Sequence, residues 1–163
     1  MKKLLFITLI LCHNFLHATE NKINLYELYK ELHANPELSY QEFETSEKLA
    51  LILENIGYEV TRNVGGNGVV ALLQNGEGKT VMLRADMDGL PVEEKTGATY
   101  ASKKKALNAE GKEVFTMHAC GHDVHMSVLI GAAEYLFNNQ SQWQGNLLLI
   151  LEPAEEVSGG ARN

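Results

Sequence analysis

Only two cysteines occur in the 163 residues, Cys12 and Cys120, and Cys12 lies in an apolar N-terminal stretch that reads as a removable leader. One cysteine then remains, which excludes an intramolecular disulfide and any fold held by a cystine framework. Positive charge is scarce as well: 14 Lys and Arg against 21 Asp and Glu give a formal charge of −7. With no basic stripe to neutralise phosphates, the composition argues against a nucleic-acid partner. The one basic run, Lys103-Lys104-Lys105, sits in a polar loop and reads as a solvated tip. Long apolar runs, internal repeats and low-complexity tracts are also missing. The apolar stretch at 4–12 is too short to anchor stably across a bilayer. What remains, 45% apolar and 21% charged residues, is the make-up of an ordinary globular domain with its own core.

Residues 1–18 have the form of a secretory signal: Lys2 and Lys3 at the start, the apolar stretch, then small Ala18 at the expected cut. Bulky Leu11 disfavours a lipid anchor at Cys12. Cleavage leaves 12 basic and 21 acidic residues, a charge of −9, with no membrane anchor. It predicts an exported chain, periplasmic or secreted. A lone thiol in that oxidising setting calls for a reason, and metal ligation of Cys120 supplies one.

Hydrophobic spacing divides the remainder. Leu25, Leu28, Tyr29 and Leu32 predict an amphipathic helix ended by Asn35-Pro36. Leu49, Ile52, Leu53 and Ile56 predict a second, stopped at Gly57. Strand-like runs follow at 58–61, 68–74 and 80–85, with Asn75-Gly76-Glu77-Gly78 placed to join the last two as a hairpin. The polar stretch 103–113 reads as a small excursion around Glu110-Gly111. Residues 124–137 are apolar nearly all round and predict a buried helix, with Asp123 placed to cap it. The unbroken run 147–151 predicts a central strand covered on both faces. The alternation predicts an α/β sandwich around a mostly parallel sheet.

Chemistry gathers at three strand ends. The turn from Met117 to Asp123 holds a thiol, two imidazoles and a carboxylate. Cys120 and His122, two positions apart, can converge on one zinc-like ion from a bent loop. Asp86 and Asp88 follow the run 81–85, and Glu155 and Glu156 follow 147–151. Sites in open α/β sheets form beyond the carboxyl ends of strands, so parallel neighbours would bring all of these to one rim. Carboxylates directly after buried runs also need pairing or a metal. Hydrolysis by a metal-activated water uses one carboxylate on the metal and another to take a proton. Glu155 and Glu156 face opposite ways on an extended segment, and spacing leaves their roles interchangeable. Asp88 is favoured over Asp86, because the turn at Gly89 points it over the sheet edge. His118 and His125 read as packing residues, and Asp123 as a cap or an acceptor behind the ligands. A Cys120 nucleophile is the rival reading, although a base two residues away is hard to align on it. Residues 66–71 spell a dinucleotide fingerprint, but a strand follows where a helix is required. Gly78-Lys79-Thr80 resembles the tail of a phosphate loop whose first glycine is replaced by Leu73.

HANPELSYQE at 33–42, LRADMDGLPVEE at 83–94, MHACGHDVHMS at 117–127 and EPAEE at 152–156 resemble, in order and spacing, the metallo-amidohydrolases of the hippurate hydrolase type. That group includes the N-acyl-amino-acid and indole-acetyl-amino-acid hydrolases, relatives of the aminoacylases and carboxypeptidase G. The resemblance covers 19–163 and implies the N-terminal portion of a zinc-peptidase-like catalytic domain, a three-layer α/β sandwich with a mostly parallel mixed sheet. It implies a site for two divalent ions (Zn, Mn, Co or Ni), with Cys120 as a thiolate ligand that can bridge and His122 and Glu156 as ligands. Glu155 is then the general acid/base and Asp88 an orienting carboxylate, while Asp86 stands where more distant relatives place a metal-binding histidine. The implied reaction is hydrolysis of the amide bond of a small N-acyl amino acid. Two further histidine ligands and a lid and dimerisation domain are implied beyond Glu156, in a homodimeric full-length form. Without them, the alternative is an inactive remnant or a metal-binding domain without turnover. Glu152 departs from the usual glutamine and adds negative charge beside the site.

Overall fold

The structure is a computed structural model that describes residues 22–162. The secretory signal expected at 1–18 lies outside the described residues. Helix α1, Leu25–Ala34, starts where the Asn24 side chain accepts the Glu27 N–H at 3.2 Å. It buries Leu28 and Leu32 on one face and ends at Asn35, ahead of Pro36. Helix α2, Phe43–Ile56, buries Leu49, Ala50 and Leu53 and stops at Gly57, whose N–H bonds the Leu53 carbonyl at 3.1 Å. Strands β1 (Glu59–Val64), β2 (Gly68–Asn75) and β3 (Thr80–Asp86) follow. A short pair comes next, β4 (Lys105–Leu107) and β5 (Glu113–Phe115), then helix α3 (His122–Asn138) and strand β6 (Gly145–Glu152).

The main sheet has the order β1-β2-β6-β3. The hairpin expected between β2 and β3 is therefore not formed, because β6 lies between them. β6 runs antiparallel to β2, from Val69↔Leu151 to Asn75↔Gly145, and parallel to β3, from Thr80↔Asn146 to Asp86↔Glu152. The cause is burial: Leu147, Leu149 and Leu151 are within 3% of complete burial, which a central strand achieves and an edge strand does not. The entry to β6 is tied down by Asn75, whose amide donates to the carbonyls of Gln140 and Trp143 at 2.7 Å each. Gly145 sits at φ 113° against the Lys79 carbonyl, where a Cβ would collide, so glycine is required at this crossing.

The α/β architecture and mixed sheet agree with expectation, with three differences of detail. Among the described strand pairs of the main sheet only β3–β6 is parallel, while β1–β2 and β2–β6 are antiparallel. All three helices pack into one core with Val69, Ala71, Leu73, Leu147, Leu149 and Leu151. The alternate residues Val70, Leu72, Leu148 and Ile150 are half-buried, so the described residues form two layers rather than three. The strand ending at Phe115 pairs in the separate β4–β5 hairpin, not in the main sheet.

Candidate metal centre

The register Asp86↔Glu152 sets the carboxyl ends of β3 and β6 level, and everything of chemical interest hangs from that edge. The ladder continues one step, with the Met87 N–H donating to the Glu152 carbonyl at 3.0 Å. Asp88 then turns inward. Its side chain is buried, and Oδ2 accepts from the Ser39 hydroxyl at 2.6 Å and from the Glu156 N–H at 3.0 Å. Burial alone would raise its pKa, but hydrogen bonds from His122, Ser39 and the Glu156 amide hold the carboxyl below its ordinary range.

The turn carrying Cys120 and His122 reaches the rim by a different route from the one expected. Leu90 and Met117 form an isolated antiparallel bridge, with N–H···O contacts of 2.9 and 3.0 Å, which brings the turn beside Asp88. Gly121 at φ 78° makes the left-handed bend that opens α3 and frees His122 to turn inward. Asp123 is therefore not the helix cap. It lies in the first turn, buried, and its Oδ2 meets His33 Nδ1 at 2.6 Å, while His33 Nε2 meets Glu94 Oε1 at 3.1 Å. Burial opposes a charge on His33, but these carboxylates raise its pKa. Nor is α3 buried all round: Val124, Val128 and Tyr135 are exposed.

His122 is the centre of the arrangement. Its Nδ1–H donates to the Asp88 carbonyl at 2.8 Å, with Asp88 Oδ1 at 3.4 Å, which fixes the tautomer and presents the Nε2 lone pair. Around Nε2 stand Glu155 Oε2 at 3.7 Å, Asp86 Oδ2 at 3.9 Å and Glu156 Oε1 at 4.0 Å. These separations are too long for hydrogen bonds. They suit atoms placed about 2.0–2.2 Å from a common ion. Glu156 Oε1 is buried without a hydrogen-bond partner, a costly state that a cation would relieve. Burial would lower the His122 pKa, but Asp88 and the charge of Asp86 push it to about 9. Without a metal, Nε2 therefore holds a proton at neutral pH, and a cation in that place would displace it and take the lone pair.

Cys120 is exposed at the same rim, beside Glu156. The neighbouring Glu156 carboxylate first, then burial and the charges of Glu155 and Asp88, raises the thiol pKa, so a thiolate there needs a cation beside it. The same shift disfavours the nucleophile reading, which requires a depressed pKa. His122, Glu155 and Glu156 form one group whose ligand atoms all lie within 4.8 Å of one another. Cys120 adjoins this group without belonging to it. Asp88 stands behind it.

Two positioning residues carry no chemistry legible from spacing. Ser39 reaches Asp88, and Glu42, fully buried, accepts the Ala154 N–H at 2.7 Å and the Asn67 amide at 3.1 Å. Ala154 is in the left-handed region at φ 53°, so Glu42 holds the strained residue that turns Glu155 and Glu156 back over the sheet. Both positioning residues lie in the stretch 33–42, whose motif letters were the one available signal.

The sequence pattern of peptidase family M20/M25/M40 matches residues 82–163. The thermostable carboxypeptidase 2 of Saccharolobus solfataricus is 44% identical over 135 residues, which is 82% of this chain and 32% of that protein. The N-acetyl-L-cysteine deacetylase of Bacillus subtilis is 41% identical over 154 residues, 90% of this chain and 35% of that one. A Bacillus subtilis crystal structure described as a dinuclear metal binding peptidase superposes with a TM-score of 0.74 at 37% identity, covering 85% of this chain and 36% of that one. The chain spans about a third of the length of the curated relatives it matches.

Proposed function

Since the chain belongs to peptidase family M20/M25/M40, we propose that it contributes the N-terminal half-site of a metal-dependent hydrolase that cleaves the amide bond of small N-acyl amino acids. The observation that carries this reading is the convergence of Glu155, Glu156 and Asp86 around His122 Nε2, with a buried Glu156 oxygen left unpartnered. In this reading Cys120, His122 and Glu156 hold divalent cations (Zn, Mn, Co or Ni). The deacetylase relative and the dinuclear structural relative support the substrate class and the two-ion site. When bound, such ions polarise the amide carbonyl and lower the pKa of water.

The protein's own residues do the rest. Glu155, with a side chain 40% exposed, takes a proton from the attacking water and returns it to the leaving amine. Asp88 keeps His122 in the tautomer that offers Nε2, and Ser39 and the Glu156 amide keep Asp88 ionised. Export by residues 1–18 and a homodimeric full-length form belong to the same proposal, as do further ligands beyond Glu156.

Metal content and hydrolysis of an N-acyl amino acid, measured together on the full-length protein, test it. Glu155→Gln is expected to retain metal and lose at least about a hundredfold in kcat. Cys120→Ala is expected to lose metal. If Glu155→Gln loses metal, the two glutamates have exchanged roles; if Cys120→Ala keeps full metal, the thiol is not a ligand. The runner-up is a metal-binding domain without turnover. Stoichiometric metal with no amide hydrolysis in the full-length protein would establish it.

A further inference from the structure

His122 belongs to a second group of ligand-type atoms, in which the proposed function leaves His125 unused and gives Asp86 no ligand role. Asp86 Oδ2, His122 Nε2 and His125 Nδ1 also lie within 4.8 Å of one another. We propose that Asp86, His122 and His125 form an alternative seat for one divalent cation of the zinc, cobalt or nickel class, opening to solvent at His125 and exclusive of the seat on Cys120, His122 and Glu156. This rests on the reading of His122 Nε2 as the cation-facing nitrogen.

The geometry supports a built seat. Asp86 Oδ2 stands 3.9 Å from His122 Nε2 and 3.6 Å from His125 Nδ1, separations that suit a shared ion. His122 and His125, three residues apart at the start of α3, bring their rings together at 5.6 Å and 28°. The other oxygen of Asp86, Oδ1, is held by Arg84 at 2.5 Å, which fixes the carboxylate with Oδ2 toward the imidazoles. Two imidazoles and one carboxylate form a donor set that borderline cations favour over magnesium or calcium.

Electrostatics favour a cation there. Arg84 is divided between Asp86 and Glu152, while Glu155 and Glu156 add charge on the far side of His122. His125 is 54% exposed, so this seat opens to solvent through that imidazole. One Nε2 lone pair serves one ion at a time. The two seats therefore compete for one ion through His122.

Calorimetric titration of the chain with zinc chloride tests this, with circular dichroism confirming the fold of each variant. Cys120→Ala/Glu156→Gln disables the seat of the proposed function and is expected to bind one zinc ion. Adding His125→Asn, at an exposed position, or Asp86→Asn to that background should weaken binding at least tenfold. No binding by that double variant, or binding indifferent to both added substitutions, overturns the proposed seat. In that event Cys120-dependent binding by the unsubstituted chain would leave the proposed function standing. Zinc binding unaffected by His122→Asn in every background would instead sink the reading of His122 on which both rest.

Discussion

A carboxylate with no exposed surface needs donors, and Glu42 finds them in the Ala154 N–H and the Asn67 amide. Replacing Glu42 with Ala leaves the Ala154 N–H buried and unpaired, at a cost of about 1–3 kcal/mol in urea unfolding. It should also reduce metal content, because the turn bearing Glu155 and Glu156 loses its tether. His118 is a second buried group, with neither ring nitrogen hydrogen-bonded. Burial, chiefly, pushes its pKa down to about 4, against an opposing pull from Asp123. The folded chain thus refuses a proton that the unfolded chain binds below about pH 6.5. Stability from this residue is intact above that pH and declines as pH falls toward 4. In His118→Asn the slope of unfolding free energy against pH across that window should be shallower, by up to about 1.4 kcal/mol per pH unit. Residue types at the site were legible because ligand chemistry restricts them to few letters. Ser39 and Glu42 were not, since their partners Asp88 and Ala154 lie far along the chain and a hydroxyl or a buried carboxylate has no characteristic spacing.

At the level of elements, local pattern sufficed for the helices and failed for strand pairing. α1 and α2 follow the apolar spacing of Leu28 and Leu32, and of Leu49 and Leu53, because those contacts are made within a turn or two of the same helix. The Asn75-Gly76-Glu77-Gly78 turn carries a hairpin signal just as strong, yet β6 displaces β3 from β2. Turn chemistry records how the chain bends; strand order depends on which run buries the most apolar surface. β6 should accordingly dominate stability. Leu149→Ala, at a position with no exposure, is expected to cost about 2–5 kcal/mol. Val81→Ala, 57% exposed on β3, should stay within about 0.5 kcal/mol. Equal losses in chemical denaturation would mean that the edge strand is as well packed as the centre.

For the molecule as a whole, the family and the α/β class were readable from four ordered motifs, whereas the one-sided helical layer was not. Amphipathic helices state that they cover a sheet, not which face they cover. Acid crowding at one rim leaves the metal-free fold with repulsion that a cation relieves. Zinc at about a hundred times its dissociation constant should add about 2.7 kcal/mol, read as a rise in Tm that a chelator reverses. An unchanged Tm would mean that folded and unfolded chains bind zinc equally.

The insertion of β6 between β2 and β3 also constrains the order of events on the ribosome. In a nascent chain, β2 and β3 emerge long before β6, and the edges they will offer it stay open in the meantime. Neither can close on the other without excluding the late strand. Docking of β6 then zips both edges at once and carries Glu155 and Glu156 to the waiting His122. Among the described strands, β6 comes last in chain order, and its docking is the step that brings the two glutamates to the cation-binding rim.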